Sequence, residues 1–253
     1  MTDAGLGRRR KAKKAYSEIT LGDKSPFKRY LQRRRLQDAV SVVEDLDEDF
    51  SGKVLDFGGG SGELSRLLAQ RFPNAHVFCY EPMPDIFEEA RRNLAGPGNI
   101  TLVSDRKDLR GTKFDLVYCL EVFEHLPLRQ TARTVRVMDR LLEEGGLFVV
   151  GVPNEVFLPA LVKGLFRMTR RYGAHDARFG NVLRAVVGRP PAGCPVRRIS
   201  RGLPYHFHHL GFDHRKLRTL LRETFEPVRE FGSPVNSELL GTEIYQVMKR
   251  KRS

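Results

Sequence analysis

The sequence predicts an α/β protein built on a doubly wound, mostly parallel sheet, with a helical insertion after the fifth strand and an antiparallel hairpin at the end. Three observations predict it. Short apolar runs alternate with amphipathic stretches between residues 53 and 152. The runs are apolar at successive positions, as in strands covered by helices on both faces. The first run is followed by the glycine-rich stretch "VLDFGGGSGELS" (54–65), where something must approach the main chain closely.

Each element follows from local signals. Residues 27–50 place Leu31, Leu36, Val40, Val43 and Leu46 near helical spacing. "KVLDF" (53–57) is the first strand, and 61–72 reads as a helix with Leu64, Leu67 and Leu68 on one face. "AHVFCY" (75–80) is the second strand, followed by a helix over 84–94 opened by Pro84. "NITLVS" (99–104) and "FDLVYC" (114–119) are the third and fourth strands. A helix over 127–146 is opened by Pro127 and closed by glycine, and "LFVVGV" (147–152) is the fifth strand. The spacing predicts a further helix over 214–225 and two strands at 226–232 and 242–250. Between them, residues 153–212 break the rhythm. A connection that long is no plain loop, and a cap over the carboxyl ends of the strands is expected there. The domain is thus expected to span 27–253, preceded by a basic, partly disordered tail over 1–26.

Charge is unevenly spread over the 253 residues, whose net charge is +13. Residues 1–35 hold 12 Lys/Arg against 3 Asp/Glu, residues 36–154 hold 13 against 20, and residues 155–203 hold 10 against 2. An acidic body therefore carries two basic appendages, which favour an anionic partner such as a phospholipid surface, a phosphorylated substrate or RNA. Cys79, Cys119 and Cys194 are too few and too far apart for a disulfide framework or a metal cluster, and a reducing cytoplasm is the simplest compartment. No run of about 18 apolar residues suggests a membrane span, and the basic start lacks the apolar run of a secretory signal.

In an open parallel sheet, ligands bind beyond the carboxyl ends of the strands where the strand order reverses, and the glycine turn lies there. The dinucleotide fingerprint G-x-G-x-x-G fails, because its last place falls on Glu63 or Ser65. Asp56, directly before the glycines, would repel a pyrophosphate but suits a ligand carrying an ammonium.

The pattern D-x-G-x-G-x-G at Asp56, Gly58, Gly60 and Gly62 resembles the class I S-adenosylmethionine-dependent methyltransferases, in the small-molecule branch. Glu81 at the end of the second strand, Asp105 in "LVSDRKDL", the block "FDLVYCLEVFEHL" and the run "LLEEGGLFVVGVPN" extend the resemblance in order. It covers about 50–152 and 204–250. The resemblance implies a Rossmann-like, seven-stranded sheet and S-adenosyl-L-methionine as cofactor. It places Glu81 on the ribose hydroxyls and Asp105 on the adenine amino group. Asp56 would act, directly or indirectly, on the methionine ammonium. Gly58, Gly60, Ser61, Gly62, Pro82, Met83, Arg106, Leu120 and Glu121 complete the expected cofactor surface. Asp115 is expected to hold loop backbone.

Methyl transfer needs an aligned acceptor and, for a hydroxyl, removal of a proton. His125 in "EVFEHL" is the candidate base or acceptor-positioning group, with Glu124 orienting it. His206, His208 and His209 in "YHFHHLGF" could return from the cap to touch the acceptor. No cysteine or acid joins those three at ligand spacing, and the chemistry needs no metal, so none is expected. In the cap, residues 155–172 place Leu158, Leu161, Val162, Leu165 and Met168 on one stripe with Lys163, Arg167, Arg170 and Arg171 largely elsewhere. Such a helix can pack as a lid, the commoner outcome, or lie in an anionic membrane interface, making the cytoplasmic protein peripheral to the membrane. The leading expectation is methylation of a small or lipid-like molecule, at oxygen. The alternatives are an RNA or DNA methyltransferase, suggested by the charge, and a non-catalytic binder of the same fold. The acid-Pro-Pro-aromatic motif of base-amino methylation is missing after the fourth strand, as is a Pro-Cys pair, and no basic aromatic platform is visible.

Overall fold

The computed structural model describes residues 26–43, 46, 47, 49–191, 194–198 and 204–251. The tail expected over 1–26 lies outside the described residues except for its last one. Helix α1 (Pro26–Ser41) precedes β1 (Lys53–Phe57), α2 (Glu63–Arg71), β2 (His76–Tyr80), α3 (Pro84–Asn93), β3 (Ile100–Val103) and β4 (Phe114–Leu120). Then come α4 (Leu128–Leu141), β5 (Leu142–Pro153), α5 (Phe157–Arg171), α6 (Phe179–Val186) and a small ribbon of β6 (Val196–Arg198) and β7 (Pro204–His206). Helix α7 (His214–Thr224), β8 (Phe225–Ser233) and β9 (Glu243–Arg250) finish the fold.

The seven-stranded sheet runs β3-β2-β1-β4-β5-β9-β8. The first five strands are parallel, and β9 pairs antiparallel with both β5 and β8. Strand order reverses between β1 and β4, which opens a crevice at their carboxyl ends. Alternate side chains divide between two faces. Leu55, Val117 and Phe148 pack with Val135, Met138, Leu217 and Leu221 of α4 and α7. Val54, Val77 and Leu116 pack with Ala39 of α1 and with Leu64, Leu68 and Phe72 of and after α2. Each fully buried Leu or Phe contributes about 1.5–3 kcal/mol.

Two boundaries differ from those predicted. The first helix ends at Ser41 rather than near 50. The chain turns there, which lets Leu46 and Phe50 fold back onto the α2 face; Phe50 meets Phe72 edge-on at 5.3 Å. The helix expected over 127–146 stops at Leu141, because Leu142 is buried opposite Phe114 and starts β5 early. Helix α1 is tied to the sheet by two tyrosines: Tyr118 Oη donates to the carbonyl of Ala39 (3.1 Å) and Tyr245 Oη to that of Arg35 (2.8 Å). These bonds set Gln32 and Arg35 beside the glycine turn.

The segment between β5 and α7 holds α5, α6 and the ribbon. Helix α5 buries Pro159, Ala160 and Gly164, not the predicted leucine stripe. Gly164 sits directly against Val182 of α6, where any side chain would collide. Leu158, Leu161, Val162 and Leu165 face outward, so the stripe does not pack as a lid.

Candidate functional site

The glycine turn does its work with bare Cα surface. Gly58, Gly60 and Gly62 take left-handed φ of 83°, 57° and 86°. A Cβ on Gly58 would come within 2.5 Å of Val122. The turn's amides are largely used inside the protein. Those of Gly58 and Gly59 donate to the carbonyl of Tyr80 (2.8 and 3.0 Å), and that of Gly60 to Glu81 Oε2 (3.1 Å). The other carboxylate oxygen of Glu81 accepts from the amide of Met83 (2.8 Å). Glu81 therefore welds the end of β2 to the glycine turn, and each of its oxygens retains a second lone pair. Burial raises its pKa to about 7.

Asp56 is buried at the end of β1 and accepts from the Ser65 hydroxyl (2.7 Å), which anchors α2. Burial raises its pKa to about 6, outweighing the Ser65 bonds. Two buried acids held above the usual range favour a cation arriving beside them.

Two clefts flank the turn and share Gly58, Gly60 and Glu121. One, of about 600 Å³, is lined by Gln32, Arg35, Asp56, Gly59, Ser61 and Leu120 among others. The second, of about 1000 Å³ and partly open to solvent, runs past Glu81, Pro82, Met83 and Arg106 to His125 and Tyr205. Asp105 caps the short turn Arg106–Leu109, its Oδ1 accepting from the amide of Lys107 (2.9 Å), and Arg106 is the cleft-lining member of the pair. Asp115 binds the Lys53 amide (2.8 Å), a backbone role.

Beyond β4 the chain carries a second polar group of residues. Glu121, at φ 54°, pairs with Arg35 at 3.0 Å. Burial pushes the Glu121 carboxyl up, but Arg35, His209 and Lys163 together hold it below the usual range. Glu124 is buried, with its Oε1 3.8 Å from His125 Nε2. His125 Nδ1 donates to the carbonyl of His206 (2.8 Å), and its ring stacks on Tyr205 at 4.3 Å. Burial, helped by His209, lowers the His125 pKa to about 4.

The three cap histidines have different places. His209 turns inward, its ring 4.7 Å from that of His125. His206 contributes its main-chain carbonyl. His208 pairs with Asp176 at 3.2 Å, inside a network in which Asp176 also meets Arg171 (2.6 Å). Arg35 and Tyr205 were not singled out from the sequence. Each reaches the site from a segment far away in the chain, and no spacing rule connects them.

Comparisons agree with this geometry. Residues 54–146 match the family described as "Methyltransferase domain". The chain is 32% identical over 107 residues to a ubiquinone biosynthesis O-methyltransferase of Xylella fastidiosa, covering 40% of this chain and 42% of that one. It is 26% identical over 178 residues to a trans-aconitate 2-methyltransferase of Sinorhizobium fredii, covering 68% and 62%. The matched segments thus span about half the length of these curated relatives. In structure it resembles the N-methyltransferase NodS of Bradyrhizobium japonicum in complex with S-adenosyl-L-homocysteine, with TM-score 0.56, 15% identity and 93% and 96% of the two chains covered. It also resembles magnesium protoporphyrin IX methyltransferase of Synechocystis with bound S-adenosyl-L-homocysteine, with TM-score 0.59, 18% identity and 92% of each chain covered. The match over residues 54–146 is to a methyltransferase domain, and the strand order agrees with the Rossmann-like fold of these structural neighbours.

Proposed function

We propose that this protein transfers the methyl group of S-adenosylmethionine to an oxygen of a small, partly apolar acceptor. The observation that carries the reading is the continuity of one cleft from Glu81 past Gly58 and Gly60 to His125 and Tyr205. The residues fit the cofactor. Glu81 and Met83 suit the ribose end, Arg106 borders the base, and Asp56 with Ser61 suits the ammonium end. The bare turn at Gly58 leaves room for a nucleoside against the main chain. When bound, the cofactor supplies an activated methyl whose departure leaves a neutral sulfide.

The chain's own residues then have to align the acceptor and exclude water. His125 keeps its Nε2 lone pair available, because Nδ1 donates to a carbonyl. A ring with a pKa of about 4 is a weak base at neutral pH, so His125 serves to position an acceptor hydroxyl rather than to strip it. Phe57, Tyr80, Ile86, Val122 and Leu126 line the same cleft and suit an acceptor with an apolar body. The curated relatives are named for an O-methyltransferase of ubiquinone biosynthesis and for a trans-aconitate methyltransferase, both small-molecule enzymes, which supports the same reading.

The outward stripe of α5 and α6 adds a second part. Leu161, Val162, Leu165, Phe166, Leu183 and Val187 are exposed, close to Arg170, Arg171 and Arg184. This pattern supports peripheral contact with an anionic lipid surface. No helix among the described residues is long and apolar enough to cross a membrane. The functional test is calorimetry with S-adenosylmethionine, followed by labelled-methyl transfer to a panel of catechols, carboxylic acids and short RNAs. Tight cofactor binding with label in a phenol is expected. Label in RNA alone would favour nucleic-acid methylation, and no cofactor binding would sink every enzymatic reading.

A further inference from the structure

We infer that the hollow between the segment Arg106–Lys113 and the last turns of α4 binds a phosphate-bearing small molecule. It measures about 730 Å³, is partly open to solvent, and is lined by the cations Arg106, Arg110, Lys113 and Arg140 with no acidic side chain. The local sequence builds it. Leu109 is buried and pins the short turn, and Gly111, at φ 79°, swings the chain from that turn toward β4. From the other side α4 buries Leu141 and leaves Arg140 exposed.

Two observations set this hollow apart from an ordinary solvated face. Among the described residues, the side chains of Arg106, Arg110 and Arg140 have neither a hydrogen bond nor an ion pair. The nearby acids are turned elsewhere: Asp105 accepts from the Lys107 amide (2.9 Å), and Asp139 pairs with Arg250 (3.2 Å). Exposed arginines on α2 and α3 are treated differently, Arg66 pairing with Glu63 and Arg91 with Glu88, at 2.8 Å each. Next, Arg129, Arg133, Arg136 and Arg140 recur along α4 and are all exposed. At 3.6 residues per turn they fall within an arc of about 60°. Like charges so placed repel one another and weaken a helix, and a bound anion relieves that repulsion. The charge balance of residues 36–154, with 13 Lys/Arg against 20 Asp/Glu, hides this basic face; folding assembles it.

The donors suit phosphate. Guanidinium groups match phosphate oxygens bidentately, and an ammonium adds a point charge. Lys113 Nζ donates to the carbonyl of Leu142 (3.2 Å), which holds it in place and leaves two hydrogens for a ligand. Thr112 adds a hydroxyl, and Val137 and Leu141 form a small apolar floor where the carbon part of a phosphate ester has room. A hollow of this size favours a small ligand over a nucleic-acid backbone, which would follow the whole length of α4. Arg106 also lines the cofactor cleft, so the two occupants share one guanidinium. This consequence rests on the proposed cofactor: S-adenosylmethionine carries one more positive than negative charge. An anion beside Arg106 lowers the positive potential facing it, and the two ligands therefore bind cooperatively.

The test is calorimetric titration of the full chain with inorganic pyrophosphate and with phenyl phosphate, in metal-free buffer at low salt. Pyrophosphate should bind with a Kd of about 0.1 mM or tighter. Comparable binding of phenyl phosphate assigns a phosphate ester, and binding of pyrophosphate alone assigns an inorganic anion. Arg110→Gln with Arg140→Gln should weaken binding at least about tenfold. Arg91→Gln with Arg92→Gln, which removes the same charge from α3, should leave it within about twofold. Circular dichroism checks that both variants are folded. A parent Kd above about 1 mM, or equal losses in the two variants, would overturn the site. Short RNA retained through α4 without pyrophosphate binding would give the face to nucleic acid instead. Saturating pyrophosphate should tighten S-adenosylmethionine binding at least about threefold, and an unchanged Kd would overturn the coupling. The pyrophosphate titration needs no cofactor, so failure of S-adenosylmethionine to bind removes the methyltransferase proposal and leaves the anion result standing.

Discussion

The glycine-turn side of the cleft and the cap side are built by different rules. On the first, residues close in sequence do everything. Asp56, Gly58 and Gly60 stand within five positions, and Glu81 reaches them from the adjacent strand through a parallel register that pairs Phe57 with Tyr80. On the second, His125, Tyr205, His209, Glu155 and Asp176 come from four segments: Glu155 and Asp176 are held by buried ion pairs, and His125 by the His206 carbonyl and the Tyr205 ring. The cofactor side is therefore joined through the sheet, and the cap side through charge and ring contacts.

The sharpest way to break this contrast is Glu155→Ala. The buried Glu155 makes paired bonds to Arg167 (2.8 Å each) and lies 3.4 Å from Lys163. Burial alone would raise its pKa, but Lys163 and Arg167 pull it down to about 2. A depressed carboxyl contributes stability that is present above the unfolded pKa near 4.5 and is lost as pH falls toward 2. Removing it strips Arg167 of its paired carboxylate, leaving only Asp176 at 3.4 Å, and breaks a buried pair at about 3 kcal/mol. Hydrogen exchange should show α5 and α6 opening while β1–β4 stay protected. Equal loosening of both regions would mean the cap is not a separate charge-held unit.

Glu81→Ala tests the other side. It removes two bonds to amides and the expected ribose acceptor, worth about 2–3 kcal/mol, so the cofactor Kd should rise roughly 30- to 150-fold. Calorimetry measures it, and an unchanged Kd removes Glu81 from the cofactor site. The pH dependence sharpens the assignment. The acid's folded pKa of about 7 lies above its unfolded value, so the ligand-free protein holds the proton more tightly and loses stability as pH rises from about 4.5 to 7. Cofactor affinity should accordingly fall up to tenfold per unit as pH drops below 7, and Glu81→Gln should flatten that profile.

Legibility in the sequence follows the same division. The strands were readable because each is a short apolar run, and β1 begins and ends where its pattern does. The D-x-G-x-G-x-G turn was readable because positive φ and close approach demand glycine. Two helix ends were misplaced, at Ser41 and Leu141, because helical spacing continues past the point where tertiary burial takes over, as at Leu142. The cap was legible only as an interruption. Its leucine stripe signalled a helix correctly but not which face would be covered, since Ala160 and Gly164 pack closer to α6 than any leucine could. Of the histidines, spacing could not tell that His208 turns to Asp176 and His209 to His125.

Tyr205→Ala separates the two sides in function. The ring stacks on His125 at an interplanar angle of 12° and lines the acceptor end of the cleft. Losing the stack costs about 0.5–1.5 kcal/mol beyond its buried area. The expected result is a fall in kcat/KM of roughly 3- to 10-fold with the cofactor Kd unchanged. A matching change in cofactor Kd would show that the ribbon belongs to the cofactor surface instead.

The smallest expected effect concerns the outward face. Leu165 and Phe166 are about half exposed, and Arg170 lies over the Phe166 ring at 4.2 Å. In water two exposed apolar side chains contribute little to folding, so Leu165→Ser with Phe166→Ser should leave stability within about 0.5 kcal/mol. At a lipid interface the same two side chains enter the acyl boundary beside basic neighbours, each of which adds about 1 kcal/mol near an anionic surface. Co-sedimentation with vesicles of phosphatidylglycerol and phosphatidylcholine should therefore weaken several-fold in the double variant. Binding to pure phosphatidylcholine should be weak in both proteins. Equal sedimentation of parent and variant would assign any lipid affinity to charge alone and leave the apolar stripe unexplained by membranes. The comparison between a sheet-held and a charge-held half would then extend to the outer surface, where the exposed Arg170, Arg171 and Arg184 form a solvated face only.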